Sequence, residues 1–151
     1  MSTSSGSISS SPAPAAYEPG SGPVLEVDDL HVEFRTRAGV VNAVNGISYT
    51  VDQGETLAIL GESGSGKSVS AQAIMGILDS PPAVITGGGI RFQGRDMLTM
   101  KAEDQRQIRG PGISMIFQDA LSALNPVYSV GFQIGEMFRA HRGASRKEAK
   151  Q

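Results

Sequence analysis

The chain has 151 residues, with 13 Lys plus Arg against 15 Asp plus Glu and a formal charge of −2, a balance that argues against a nucleic-acid-wrapping protein. It contains no cysteine, which excludes disulfide frameworks, thiolate metal sites and cysteine nucleophiles, and no tryptophan. Every uncharged stretch is broken well before the roughly 18 continuous apolar residues that a membrane-spanning helix needs, so a membrane is expected only as a neighbour.

Residues 1–23 hold eight Ser, four Pro, three Gly and one charge, Glu18, too little apolar surface to offset the entropy of ordering them. They are expected to form a disordered tail. The basic n-region and apolar core of a secretory signal are both missing there, so a cytoplasmic location is expected. From Val24 the pattern changes. Leu25, Val27, Leu30, Val32 and Phe34 fall at period two around Asp28 and Asp29, which predicts a strand with a kink or bulge. Ile47, Tyr49 and Val51 alternate in the same way, and residues 39–45 between the two runs read as a hairpin connection. Residues 56–60 (TLAIL) form a short continuous apolar run, the kind that is buried on both faces of a parallel sheet.

A helix is predicted over 67–78, with Ala73, Ile74, Ile77 and Leu78 on one face and Pro81–Pro82 preventing continuation. Residues 90–93 read as a short strand reversing at 94–96, and 101–109 as a polar helix. Residues 113–117 are a second candidate for a buried strand, and Val130, Ile134, Met137, Phe138 and His141 form a helical stripe. Ser145 with Glu148 three residues later is a capping-box pattern that starts a helix just before the chain stops, so the chain reads as the front part of a longer protein. Strand and helix alternate as in α/β folds.

Chemistry concentrates at residues 61–68. Gly61-Glu62-Ser63-Gly64-Ser65-Gly66-Lys67-Ser68 matches G-x-x-x-x-G-K-[ST] in full and lies between an expected strand and an expected helix. Glycines at 61, 64 and 66 permit backbone angles that let successive N–H groups turn inward and cradle phosphate oxygens at the helix N-terminus. Lys67 would reach the β and γ phosphates and the Ser68 hydroxyl would ligate Mg²⁺, with Val69 following in the first turn of the helix. The motif specifies a nucleotide triphosphate rather than a biology.

The wider sequence resembles a known family. LHVEF at 30–34, AVNGISY at 43–49, GETL at 54–57, the phosphate loop, IFQD at 116–119 and LNP at 124–126 together resemble the first half of an ABC transporter ATPase subunit. The phrases GESGSGKSVSAQAIMGIL and MIFQDALSALNPVYSVGFQI are most similar to the dipeptide and oligopeptide importer branch, which includes nickel importers. The likeness runs from about Leu25 to Phe138. It implies an α/β P-loop NTPase of the ABC type with an N-terminal antiparallel β subdomain, incomplete at its C-terminus, over residues 24–151. By the same resemblance, Gln118 corresponds to the Q-loop glutamine, which touches Mg²⁺ and the attacking-water region and couples the site to the membrane subunits. A neutral amide can accept from a water and donate to a phosphate, which suits that role. Phe34 matches the aromatic residue that stacks on adenine.

The resemblance further implies ATP and Mg²⁺ as cofactors and a peripheral place on the cytoplasmic face of the cell membrane. Implied partners are transmembrane permease subunits, a second ATP-binding subunit and, indirectly, an external substrate-binding protein; no nucleic acid is expected. The family's L-S-G-G-Q signature, its apolar strand ending in Asp-Glu and its switch histidine do not occur in these residues, and Leu121-Ser122-Ala123 lacks the paired glycines. Nucleotide binding is therefore expected of this segment, and hydrolysis of the intact subunit. Other phosphate-loop enzymes stay open: D-x-x-G and N-K-x-D, expected of a GTPase, do not occur, whereas a kinase could carry its acceptor residues downstream. A non-catalytic nucleotide-binding module is the other alternative. His31 and His141 lack metal-like spacing, and Arg139, Arg142, Arg146, Lys147 and Lys150 are expected to make a solvated basic face.

Overall fold

The computed structural model describes residues 22–119 and 124–150. Most of the expected tail and Leu121-Ser122-Ala123 lie outside the described residues. Strand β1 (Leu25–Thr36) runs antiparallel to β2 (Gly39–Val51) through a two-residue turn at Arg37 and Ala38. The Thr36 hydroxyl accepts from the Ala38 N–H at 3.3 Å and donates to the Gly39 carbonyl at 3.0 Å. The connection expected at 39–45 is thus strand: Val40 and Val41 pair with Arg35 and Phe34. Both valines are exposed, so this half of β2 carries no inward and outward alternation from which a strand could be read.

Strand β3 (Ala83–Phe92) lies on the other side of β1 and turns into the two-residue β4 (Arg95–Asp96), giving an antiparallel sheet in the order β2-β1-β3-β4. The short strand expected at 90–93 is therefore the end of a ten-residue one, and the reversal is centred on Gln93 and Gly94. The glycines at 87–89 hide the strand, and Gly88 among them serves the bulge beside it. Asp29 has φ 43°, both ladders shift register there, and the Asp29 N–H donates to the Ser48 hydroxyl at 2.8 Å. Gly88, at φ 86°, presses on the carbonyls of Asp28 and Asp29, where a Cβ would collide with backbone.

Val27, Leu30, Val32, Val44, Ile90 and Phe92 of the sheet form one buried cluster with Ala73 and Ile74 of helix α1 (Lys67–Met75), Met97, and Ile108 of helix α2 (Ala102–Ile108). Burial of each large aliphatic side chain contributes roughly 1.5–3 kcal/mol. Helix α1 ends before the expected Leu78 because Gly76 adopts the left-handed conformation (φ 62°). Its N–H donates to Ala73 O and the Ile77 N–H to Gln72 O, both at 3.0 Å, a Schellman closure.

The two apolar runs expected to be buried strands are not strands. Residues 56–60 have irregular backbone with Leu60 91% exposed, and 113–117 are likewise irregular beyond a single bridge from Ile113 to Arg109, with Ile116 94% exposed. A run that is apolar on both faces needs a hydrogen-bonded strand at its side and packing above and below; among the described residues only Ile113 has a bridge partner and packs against the core. Helix α3 (Val130–Arg142) follows, capped by the Ser129 hydroxyl, which accepts from the Phe132 N–H at 3.2 Å. Its expected stripe of Val130, Ile134, Met137 and Phe138 is present but exposed. The capping box is also present: the Ser145 N–H donates to Glu148 Oε2 at 2.9 Å and the Glu148 N–H to Ser145 Oγ at 3.4 Å, opening a short 3₁₀ turn at Glu148–Lys150. Among the described residues no helix is long and apolar enough to cross a membrane.

Candidate functional site at the start of helix α1

The approach from β2 is set by Glu55, whose N–H donates to Asp52 O at 3.1 Å while its carboxylate accepts from the Asp52 N–H at 2.7 Å. Beyond it the chain passes into the glycine-rich loop. Gly64 (φ 81°) and Gly66 (φ 86°) take left-handed angles that a side chain resists. Gly66 also lies against the Ala43 carbonyl and Val44 Cγ2 of β2, so that a Cβ there would strike backbone. Steric fit at this one residue places the loop on the middle of β2.

Lys67 ties the loop to itself. Its Nζ donates to Gly61 O at 2.7 Å, Glu62 O at 2.6 Å and Ser65 Oγ at 3.1 Å, and the Ser65 N–H donates to Glu62 O at 3.2 Å. Residues 61, 62, 65 and 67 are thereby drawn into one ring around an ammonium. Helix α1 then starts with no side-chain cap and no acidic residue in its first turn. An uncapped N-terminus leaves backbone N–H donors without partners and a partial positive charge, the electrostatic opposite of an anion. Ser63 and Ser68 are exposed, Val69 packs against the core, and buried Ser70 donates its hydroxyl to Lys67 O at 2.8 Å. The first turn is thus held from beneath and open above.

This donor set suits a polyphosphate. The helix terminus contributes only about 0.3–1 kcal/mol to anion binding, whereas each charge-assisted hydrogen bond contributes roughly 1.5–3. Lys67 and the loop amides therefore dominate. The ammonium sits on neutral carbonyls, which an incoming phosphate can replace with a charged acceptor. Among the described residues no three acidic, histidine or cysteine side chains converge as a metal site.

Two expected site residues lie on other elements. Gln118 is exposed in the irregular segment after Ile113, and Phe34 is half-buried in β1 opposite Val41 and Ala83. No hydrogen bond joins either one to residues 61–68 among the described residues. A groove of about 1160 Å³ lies elsewhere, between α3 and Arg146, Lys147 and Ala149, and contains none of the loop. Arg109, which no sequence motif marks, binds with its guanidinium the carbonyls that end α1. The only local signal was its place before the Gly110-Pro111-Gly112 turn.

A family profile described as ABC transporter matches residues 44–151. The dipeptide transport ATP-binding protein DppD of Bacillus subtilis (strain 168) is 49% identical over 127 residues, covering 84% of this chain and 38% of its own length. The oligopeptide transport ATP-binding protein OppD of the same organism is 46% identical over 127 residues, covering 84% of this chain and 36% of its own length. The Haemophilus influenzae DppD is 46% identical, with 84% and 38% covered. The chain thus spans little more than a third of the length of these relatives. A solved dimeric ATP-binding cassette, MJ0796, described as a post-hydrolysis state bound to ADP and phosphate, superposes with a TM-score of 0.66 at 19% identity over 83% of this chain and 53% of its own. At that identity the likeness concerns the fold.

Proposed function

The chain belongs to the ABC transporter family, and from that premise we propose that it is the nucleotide-gripping part of the ATP-binding subunit of a peptide importer. The observation that carries the proposal is the ring of three hydrogen bonds from the Lys67 ammonium at an uncapped, acid-free helix start. Residues 61–66 receive the phosphates through their amides. Lys67 moves its ammonium from Gly61 O, Glu62 O and Ser65 Oγ to the β and γ phosphate oxygens, Ser68 offers its hydroxyl to Mg²⁺, and Val69 fixes the turn from below. Phe34 offers its ring to the adenine and Gln118 its amide to the metal and water side of the γ-phosphate. Bound Mg-ATP supplies the transferable phosphoryl group and the neutralising cation.

Peptide as cargo is supported by the transport named in the dipeptide and oligopeptide relatives. The intact subunit pairs with a second ATP-binding subunit and docks on permease subunits at the cytoplasmic face of the membrane, and a substrate-binding protein delivers the peptide from outside. ATP drives this cycle by its higher affinity for the closed pair. The test is ATP-dependent uptake of a labelled dipeptide by membrane vesicles that carry the complete subunit with its permease, with Lys67→Ala as the paired variant. Uptake that disappears in the variant is the expected result; equal uptake in both contradicts the proposal.

A further inference from the structure

We propose that Arg109 is a positioning residue that locks the far end of the phosphate-loop helix to the segment bearing Gln118; the proposal rests on the reading of the site given above. Arg109 Nε donates to Met75 O at 2.7 Å, and its Nη2 donates to Gly76 O at 2.6 Å and to Gln105 Oε1 at 2.9 Å. Met75 and Gly76 terminate α1, where carbonyls lack helical partners and the dipole favours a cation. Gln105 is itself held, donating Nε2 to Met97 O at 2.6 Å, so the guanidinium fork is braced by α2 and by the turn that follows β4. A planar fork can serve these three acceptors together; an ammonium cannot match that geometry.

The backbone of the same residue opens the turn that leads to Gln118. Arg109 bridges to Ile113, the Gly110 N–H donates to Ile113 O at 2.9 Å, and the N–H groups of Gly112 and Ile113 donate to Ile108 O at 2.9 and 3.1 Å. Gly110 has φ 96° and lies against the His141 imidazole, so the end of α3 packs on this turn too. Beyond Ile113 the backbone N–H groups of 114–118 make no backbone hydrogen bond among the described residues. That segment is positioned at its root. Its root is the residue whose side chain holds α1, a rigid rod about 13 Å long with the phosphate loop at its other end. A shift of the loop on taking up a phosphate is passed to 113–118 through this clamp.

The test is hydrogen exchange of the 151-residue chain with and without Mg-ATP, followed on peptides covering 113–118, for wild type, Arg109→Met and Arg109→Lys. In wild type Mg-ATP is expected to slow exchange there about fivefold, the scale of a modest coupling between sites. Arg109→Met should bind ATP within about threefold of wild type yet lose that slowing, and Arg109→Lys should fall between them. Wild-type slowing in ATP-bound Arg109→Met overturns the proposal while leaving the reading of the loop intact. A wild-type chain that binds no ATP overturns that reading and this proposal with it. A folded Arg109→Met that binds no ATP overturns the positioning role in favour of a direct one. If Arg109→Met does not fold, Gln105→Leu, which removes only the brace on the guanidinium, carries the same comparison.

Discussion

Gly66 is the residue on which the loop geometry turns, because its backbone angle and its contact with the Ala43 carbonyl both exclude a side chain. Gly66→Ala should cost about 1–3 kcal/mol in backbone strain and displace the amides proposed to receive phosphate. Thermal melting followed by circular dichroism should show a lowered midpoint, and titration with ATP should show weakened binding; a variant unchanged in both would contradict the assigned geometry. Carboxylates that accept backbone hydrogen bonds set a separate, pH-dependent term. The Leu98 N–H, 2.8 Å from Asp96 Oδ1, holds the Asp96 carboxyl below its ordinary value, with the Thr99 side chain and N–H adding to it. The Ser145 hydroxyl and N–H do the same for Glu148. A pKa lowered by folding adds stability above the unfolded value and loses it as pH falls through the folded one. Asp96→Asn should therefore flatten the acid limb of the stability curve from about pH 3.8 downward, measured by urea unfolding across that range. An acid limb as steep as wild type would contradict the assignment.

At the scale of elements, the bulge between β1 and β3 makes a sharp contrast available. Gly88→Ala places a Cβ into the carbonyls of Asp28 and Asp29 and should cost at least about 1–3 kcal/mol, whereas Gly89, with open space above it, should tolerate Ala with no loss or a gain of about 0.5 kcal/mol. Urea unfolding of the two variants checks the difference; equal stabilities would mean that the glycines do not serve the bulge. The bulge at Asp28 and Asp29, the Ser145 and Glu148 capping box and the α3 stripe were legible in the sequence because each is local: a broken alternation, a spacing of three, a period of 3.6. The first half of β2 was not, since Val40 and Val41 face solvent on both sides, nor were residues 83–89 of β3, where Gly88 answers to a strand 60 residues away. The loop at 61–68 was readable because its chemistry demands its spacing. Arg109 was not, because two of its three partners are carbonyls 33 and 34 residues back along the chain, and main-chain atoms leave no mark in residue identity.

At the scale of the whole molecule, the sheet, α1 and α2 hold the core and Ile113 packs against it, while Leu60, Ile116 and the stripe on α3 stay exposed. Leu30 is fully buried and Leu60 is 91% exposed, so Leu30→Ala should lose about 2–5 kcal/mol of unfolding free energy and Leu60→Ala less than about 0.5. Denaturant unfolding that ranked the two alike would move the core elsewhere. Among the described residues, the loop at 61–68 combines a sequence, a local geometry and an electrostatic setting that suit the phosphate role proposed for it, and the most direct test is equilibrium titration of the chain with Mg-ATP, wild type against Lys67→Ala. Loss of the ammonium's charge-assisted hydrogen bonds predicts a Kd roughly ten- to 150-fold weaker, the equivalent of about 1.5–3 kcal/mol. Equal affinity in the two proteins would contradict the account.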